Sequence, residues 1–194
     1  MKFKWTSSNK YIIKFLFLMF LLGVFVGFYI YLKQPSTIKT GIVNEIATLE
    51  KLLRGAPQNN FLYHLVIFSV VFVVSLSIVG MPIILFYLFY EGVSAGFLLA
   101  GLFHYKKIRG ILYGAIFILV NKAVIYISLC YILVVSITFA NRVLHSIRKR
   151  DNRWPSYIIN HIIKLTFSIF VLVLGDVFIY FFGNKILSYF LFLL

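Results

Sequence analysis

The chain has 194 residues, 62% of them hydrophobic and 12% charged, with a mean hydropathy of +0.98, whereas soluble domains carry about 25% charged residues. This excludes an ordinary soluble protein, and the segments between apolar runs are too short for a separate soluble domain of even ~50 residues. Lys and Arg number 19 against 5 acidic residues, a net charge of +14, which beside apolar runs points to anionic lipid headgroups and away from nucleic acid.

Runs long enough to cross a ~30 Å hydrocarbon core occur at about 12–32, 61–79, 82–103, 111–140 and 161–182. The sequence therefore predicts an all-α integral membrane protein: one polytopic domain over 1–194, a bundle of about five transmembrane helices. The first run follows Lys2, Lys4, Lys10 and Lys14, as in a signal-peptide n-region. With no small-x-small cleavage site before Lys33, it reads as an uncleaved anchor. Next, Ser36 stands as a helix cap, and Ile38, Ile42, Ile46, Leu49 and Leu53 recur at helical spacing up to Gly55-Ala56-Pro57. That pattern predicts an outer amphipathic helix over about 36–55, lying in the membrane interface.

Only Gly80-Met81-Pro82 joins the second and third runs. Gly suits a helix end and Pro a first helical turn, so the two runs form either a tight hairpin or a kinked, re-entrant pair. The fourth run exceeds the hydrocarbon thickness and must tilt, kink or project. Arg142, Arg148, Lys149, Arg150 and Arg153 follow it; with the N-terminal lysines they place the N-terminus and this linker in the cytoplasm, and the C-terminus outside. Lys33, Lys39, Lys51 and Arg54, and Lys106, Lys107 and Arg109, run against that rule. After the fifth run Gly183-Asn184-Lys185 interrupts the pattern, and the apolar tail from Ile186 to Leu194 is too short to cross. It belongs in the interface or against the bundle.

Glu91, Lys122 and Asp176 are the ionisable residues deep in the runs. If the third and fourth runs form a hairpin turning between Lys106 and Lys107, Glu91 and Lys122 lie at one depth. A candidate ion pair is the cheapest way to hold both charges there. A partner contact and a transport site are the alternatives, and Asp176, nearer the outer end, is expected to reach interfacial water. Gly92, Gly96 and Ala100, then Gly110 with Gly114 and Gly23 with Gly27, let a second backbone approach closely. Gly101 closes the small-residue run that starts at Glu91. Packing within the chain is the expected use of these seams, with homo-oligomer contacts the alternative.

His64, His104, His145 and His161 lie near run ends without ligand spacing, so interfacial placement is expected rather than a metal site. Ser69, Ser75, Ser77, Ser94, Ser128, Ser136 and Ser168 fit no nucleophile elbow or Ser-x-x-Lys motif, and intrahelical back-bonding is their default. Asp176 alone cannot make a paired-aspartate site. No catalytic constellation and no cofactor are expected. Cys130 is the single cysteine and excludes an intrachain disulfide.

One stretch carries a more specific pattern. Ser75-Leu76-Ser77-Ile78-Val79-Gly80-Met81-Pro82, continuing to Glu91-Gly92-Val93-Ser94-Ala95-Gly96-Phe97, resembles the stage II sporulation protein M family, which has a Gly-x-Pro turn followed by Gly-x-x-x-Gly-Phe. Val135-Ser136-Ile137-Thr138-Phe139-Ala140 and the basic linker are also similar to it. The resemblance spans roughly 12–182 and is strongest over 75–101. The chain departs from the pattern at Val120-Asn121-Lys122, where the family tends to have a proline, and at Glu91, to which no family role transfers.

The resemblance implies a multi-pass cell-membrane protein of an endospore-forming bacterium, at the septal and engulfing membrane. It further implies a non-enzymatic scaffold whose partners are two peptidoglycan hydrolases, a lytic transglycosylase and an amidase/endopeptidase. The main rival is a transporter or permease-like subunit, with Glu91, Lys122 and the Gly80-Pro82 break lining a mid-membrane path.

Overall fold

The computed structural model describes residues 7–53, 61–75, 77, 80–149 and 154–190. Among them every element is helical and there is no strand: α1 (Ser7–Lys33), α2 (Ser36–Leu53), α3 (Phe61–Ser75), α4 (Gly80–Lys149), α5 (Trp154–Phe178), a π-helical turn (Ile179–Gly183) and α6 (Asn184–Tyr189). Lys10–Lys33, Gly80–Ser146 and Pro155–Tyr189 are long and apolar enough to cross a membrane, while Val66–Ser75 in α3 is shorter.

α4 is two helices joined at a sharp reversal. Lys106 (φ −130, ψ 20) and Lys107 (φ 54, ψ −134) leave helical geometry, and the arms 80–105 and 108–149 pack antiparallel. Gly114 faces the side chains of Leu99 and Leu102, and a Cβ on Gly110 would overlap the Leu102 carbonyl. The turn falls between the two lysines, where the charge cluster predicts it. Lys107 has the only positive φ on a non-glycine residue among the described residues, a conformation that costs a side chain about 1–3 kcal/mol. Lys107→Gly is therefore expected to stabilise the hairpin by about 1 kcal/mol, seen as a raised thermal midpoint in detergent; an unchanged or lowered midpoint would show that Lys107 carries no strain.

α3 and the first arm of α4 form a tight hairpin. The Ser77 N–H bonds to the Val74 carbonyl and the Gly80 N–H to the Ser77 carbonyl, both at 3.1 Å. A Cβ on Gly80 would overlap the Val74 carbonyl, so the turn needs glycine for close approach. Pro82 lies in the first turn of α4, where its missing N–H costs nothing.

The core is built around the second arm. Ile125, Leu129, Ile132, Leu133 and Val134 are buried against Leu16 of α1, Phe68 and Val71 of α3, Ile84 and Leu88 of the first arm, and Leu165 and Leu172 of α5. Large apolar side chains such as Phe17, Phe25, Phe86, Ile127, Phe167 and Phe181 are exposed around it. In water that surface would be costly; facing lipid it is not.

Two local readings change. Pro35, not Ser36, caps α2: its carbonyl accepts from the N–H groups of Ile38 and Lys39, both at 3.1 Å. α2 also packs on the bundle rather than lying free, because Ile42 and Ile46 join Leu98, Leu102, Tyr105, Tyr113, Phe117 and Phe190 in a second cluster. Lys39 Nζ donates to the Leu32 carbonyl at 2.8 Å, satisfying one of the open carbonyls at the end of α1. Gly55-Ala56-Pro57 lies outside the described residues.

At the other terminus, Gly183-Asn184-Lys185 does not end the helix. The chain widens into the π-helical turn, with Phe178 and Phe182 stacked at 5.0 Å, then continues as α6. Leu187 is buried and Phe190 reaches the second cluster. The described part of the tail, up to Phe190, packs on the bundle, the second of the two placements expected for it.

Candidate functional site

The site grows from a glycine seam. α1 runs parallel to the first arm of α4, with Gly23 and Gly27 set against Gly92 and Gly96. A Cβ on Gly23 would lie 3.1 Å from the Gly92 Cα, one on Gly27 would overlap the Val93 carbonyl, and one on Gly96 would overlap the Val24 carbonyl. These are backbone contacts, and backbone cannot turn aside as a side chain does. Two of the three small-residue patterns thus meet each other. The third, Gly110 with Gly114, closes the α4 hairpin. A Cβ on Gly101 would lie 3.0 Å from Ile46 and 3.3 Å from Ile42, so Gly101 seats α2.

Glu91 sits on this seam beside Gly92 and is 4% exposed. Fifteen residues on either side of the Lys106-Lys107 break, the two arms bring it to Lys122. Lys122 Nζ lies 2.7 Å from Glu91 Oε2, and the Tyr87 hydroxyl, one helical turn before Glu91, donates to Oε1 at 2.8 Å. Both carboxylate oxygens are engaged. Lys122 remains 32% exposed, so it reaches the pair from the rim of the bundle. Phe20 of α1 packs on Tyr126, ring centroids 4.7 Å apart, and the Tyr126 hydroxyl is buried without a hydrogen-bond partner. Chemically, the arrangement pins two helix arms together at one level. A carboxylate with a cation on one oxygen and a phenol on the other is poorly placed to pass on a proton without first breaking a contact.

The other polar residues scatter. Asp176 is buried on α5. Ser75 and Thr138 back-bond within their helices, at 2.7 Å each, but Ser128, Ser136 and Ser168 are buried with no partner for the hydroxyl. No group of three His, Cys, Asp or Glu with metal-binding geometry occurs among the described residues. His104 and His145 are exposed. The side chain of His64 lies outside the described residues.

His161 is packed inside the bundle rather than on its surface. It is buried, its Nε2 lies 3.1 Å from the Ser75 carbonyl, and its ring stacks on Phe139 at 4.2 Å and 13°. Sequence reasoning missed this node, although two spacings pointed to it: His161 and Lys164 at i, i+3, and Thr138 and Arg142 at i, i+4, each share a helix face. A run-end histidine beside basic residues reads equally well as interface.

No family model matches the chain, and neither a curated protein nor a solved structure matches it.

Proposed function

We propose that the chain is a five-span membrane scaffold that recruits peptidoglycan hydrolases to the septal and engulfing membrane during endospore formation. The observation that carries this reading is the mounting of α2. Its apolar residues Ile42 and Ile46 are held by the bundle, while Thr37, Thr40, Asn44, Glu45 and Thr48 on its other side are exposed. Anchoring leaves a fixed polar face toward the outer compartment, where wall hydrolases work. A rigid, pre-formed face binds a partner without first paying to order itself. The sporulation setting and the identity of the partners rest on the resemblance over 75–101.

In this reading the two arms of α4, with α1, α3 and α5, each cross the bilayer, and the N-terminus is cytoplasmic. The glycine seam and the Glu91–Lys122 pair supply rigidity rather than chemistry. The test is capture of cell-wall hydrolases by affinity-tagged protein from sporulating cells. Thr40→Arg with Asn44→Arg, on the exposed face of α2, is expected to abolish capture with the protein still in the membrane, while Glu91→Gln largely preserves it. Solute or ion flux through reconstituted protein that Glu91→Gln stops would instead establish the transporter reading.

A further inference from the structure

We infer that the end of the bundle at the Lys106-Lys107 reversal is a docking surface for the headgroups of anionic phospholipids. This deepens the reading of the chain as a multi-pass membrane protein, on which it rests. α1 runs parallel to the first arm of α4, so the end of α1 and the reversal come to one level: Phe28 faces Phe103 with ring centroids 6.4 Å apart, and Tyr31 faces His104 at 6.1 Å. Lys39, at the start of α2, folds back onto the Leu32 carbonyl at 2.8 Å. Lys33, Lys39, Lys106, Lys107 and Arg109 are thereby gathered at one end of the molecule. In sequence they belong to two separate segments, both of which run against the rule that places basic residues in the cytoplasm.

Two observations say what meets these cations. None of the five forms an ion pair among the described residues, so their charge is open to an anion from outside the chain. The cations are also interleaved with apolar surface instead of forming a polar patch. Lys33 Nζ lies 5.6 Å from the centroid of the Tyr29 ring, Lys106 Nζ 5.0 Å from that of Tyr105, and Lys107 Nζ 5.9 Å from that of Phe103. Ile108, between Lys107 and Arg109, is 71% exposed, and Leu112, one helical turn further on, is exposed as well.

An acidic protein or a soluble polyanion could neutralise the ammonium groups but would leave Ile108 and Leu112 in water. A phospholipid covers both kinds of surface, with its phosphate on the cations and its acyl chain along the apolar side chains. Lysines held against aromatic rings at the end of an apolar helix fit the level of the headgroups, where amphipathic rings and long basic side chains both collect.

The test reads lipid at this end alone. In the full chain carrying Trp5→Phe and Trp154→Phe, Ile108→Trp places a single fluorophore among the cations. Its quenching by phosphatidylglycerol brominated in the acyl chain, in competition with phosphatidylcholine, gives the relative affinity of the two lipids at that point. The expected preference for phosphatidylglycerol is roughly fivefold or more, falling to near one when Lys33→Gln, Lys106→Gln and Arg109→Gln are combined. A single tryptophan introduced instead by Phe170→Trp, at an exposed position along α5, should show no preference. Equal affinity for the two lipids at Ile108→Trp, or a preference that survives the triple replacement, overturns the proposal. Quenching by neither brominated lipid at either position means that the chain is not in the bilayer; the multi-pass reading then fails, and the docking surface with it.

Discussion

Gly27→Leu and Gly96→Leu are each expected to destabilise the protein by roughly 3 kcal/mol or more, at the upper end of over-packing losses. At both positions a new Cβ would overlap a carbonyl of the facing helix, Val93 for Gly27 and Val24 for Gly96, so α1 and α4 must separate. Gly41 is the internal control. A Cβ there meets nothing within 4 Å, and Gly41→Ala should stabilise α2 by up to about 1 kcal/mol through helix propensity. Gly101→Ala falls between, since its nearest neighbours are side chains, Ile46 and Ile42, rather than backbone. Thermal unfolding in one detergent ranks all four; equal effects at Gly27 and Gly41 would show that α1 and α4 do not meet at the glycines.

The Glu91–Lys122 pair gives the second large effect. Glu91→Gln leaves Lys122 unpaired and Lys122→Met leaves Glu91 unpaired, each at a cost of about 2–4 kcal/mol, below the fully buried range because Lys122 reaches the rim. The double replacement is expected to cost less than either single change, because an amide facing an apolar side chain leaves no orphaned charge. Losses that simply add would mean the two residues do not interact. Tyr87→Phe removes one donor to the carboxylate and should cost about 1.5–3 kcal/mol.

The reversal at Lys106-Lys107 and the meeting of Glu91 with Lys122 were legible in the sequence for a simple reason. Apolar run lengths fix depth, and two charges at one depth have strong cause to meet. The turn at Gly80 was legible too, since its chemistry is local. The pairing of Gly23 and Gly27 with Gly92 and Gly96 was not. Small-xxx-small patterns recur by chance in apolar helices, and nothing local says which one faces which.

For α2 the same isoleucine stripe serves lipid or protein equally well, so periodicity gave the helix and not its seat on Gly101 and Tyr113. The start of α2 was placed one residue late, because the first-turn bonds to the Pro35 carbonyl leave no mark on a side chain. His161 was hidden by its position in sequence: beside the basic linker it reads as surface, and only the third dimension puts Phe139 and Ser75 against it. The π-helical turn after Phe178 has no signal short enough to read, for glycine followed by asparagine usually stops a helix.

The central claim, a scaffold that presents α2 to wall hydrolases, is tested most directly by cross-linking at α2. A photo-reactive residue placed at Glu45, on the exposed face, is introduced into otherwise unaltered protein in sporulating cells, and the cross-linked species are identified by mass spectrometry. The expected result is covalent capture of peptidoglycan hydrolases from Glu45, with none from a probe at Ile46 on the buried face. Capture from neither position, with the tagged protein spread evenly around the cell rather than held at the septum, would contradict the account.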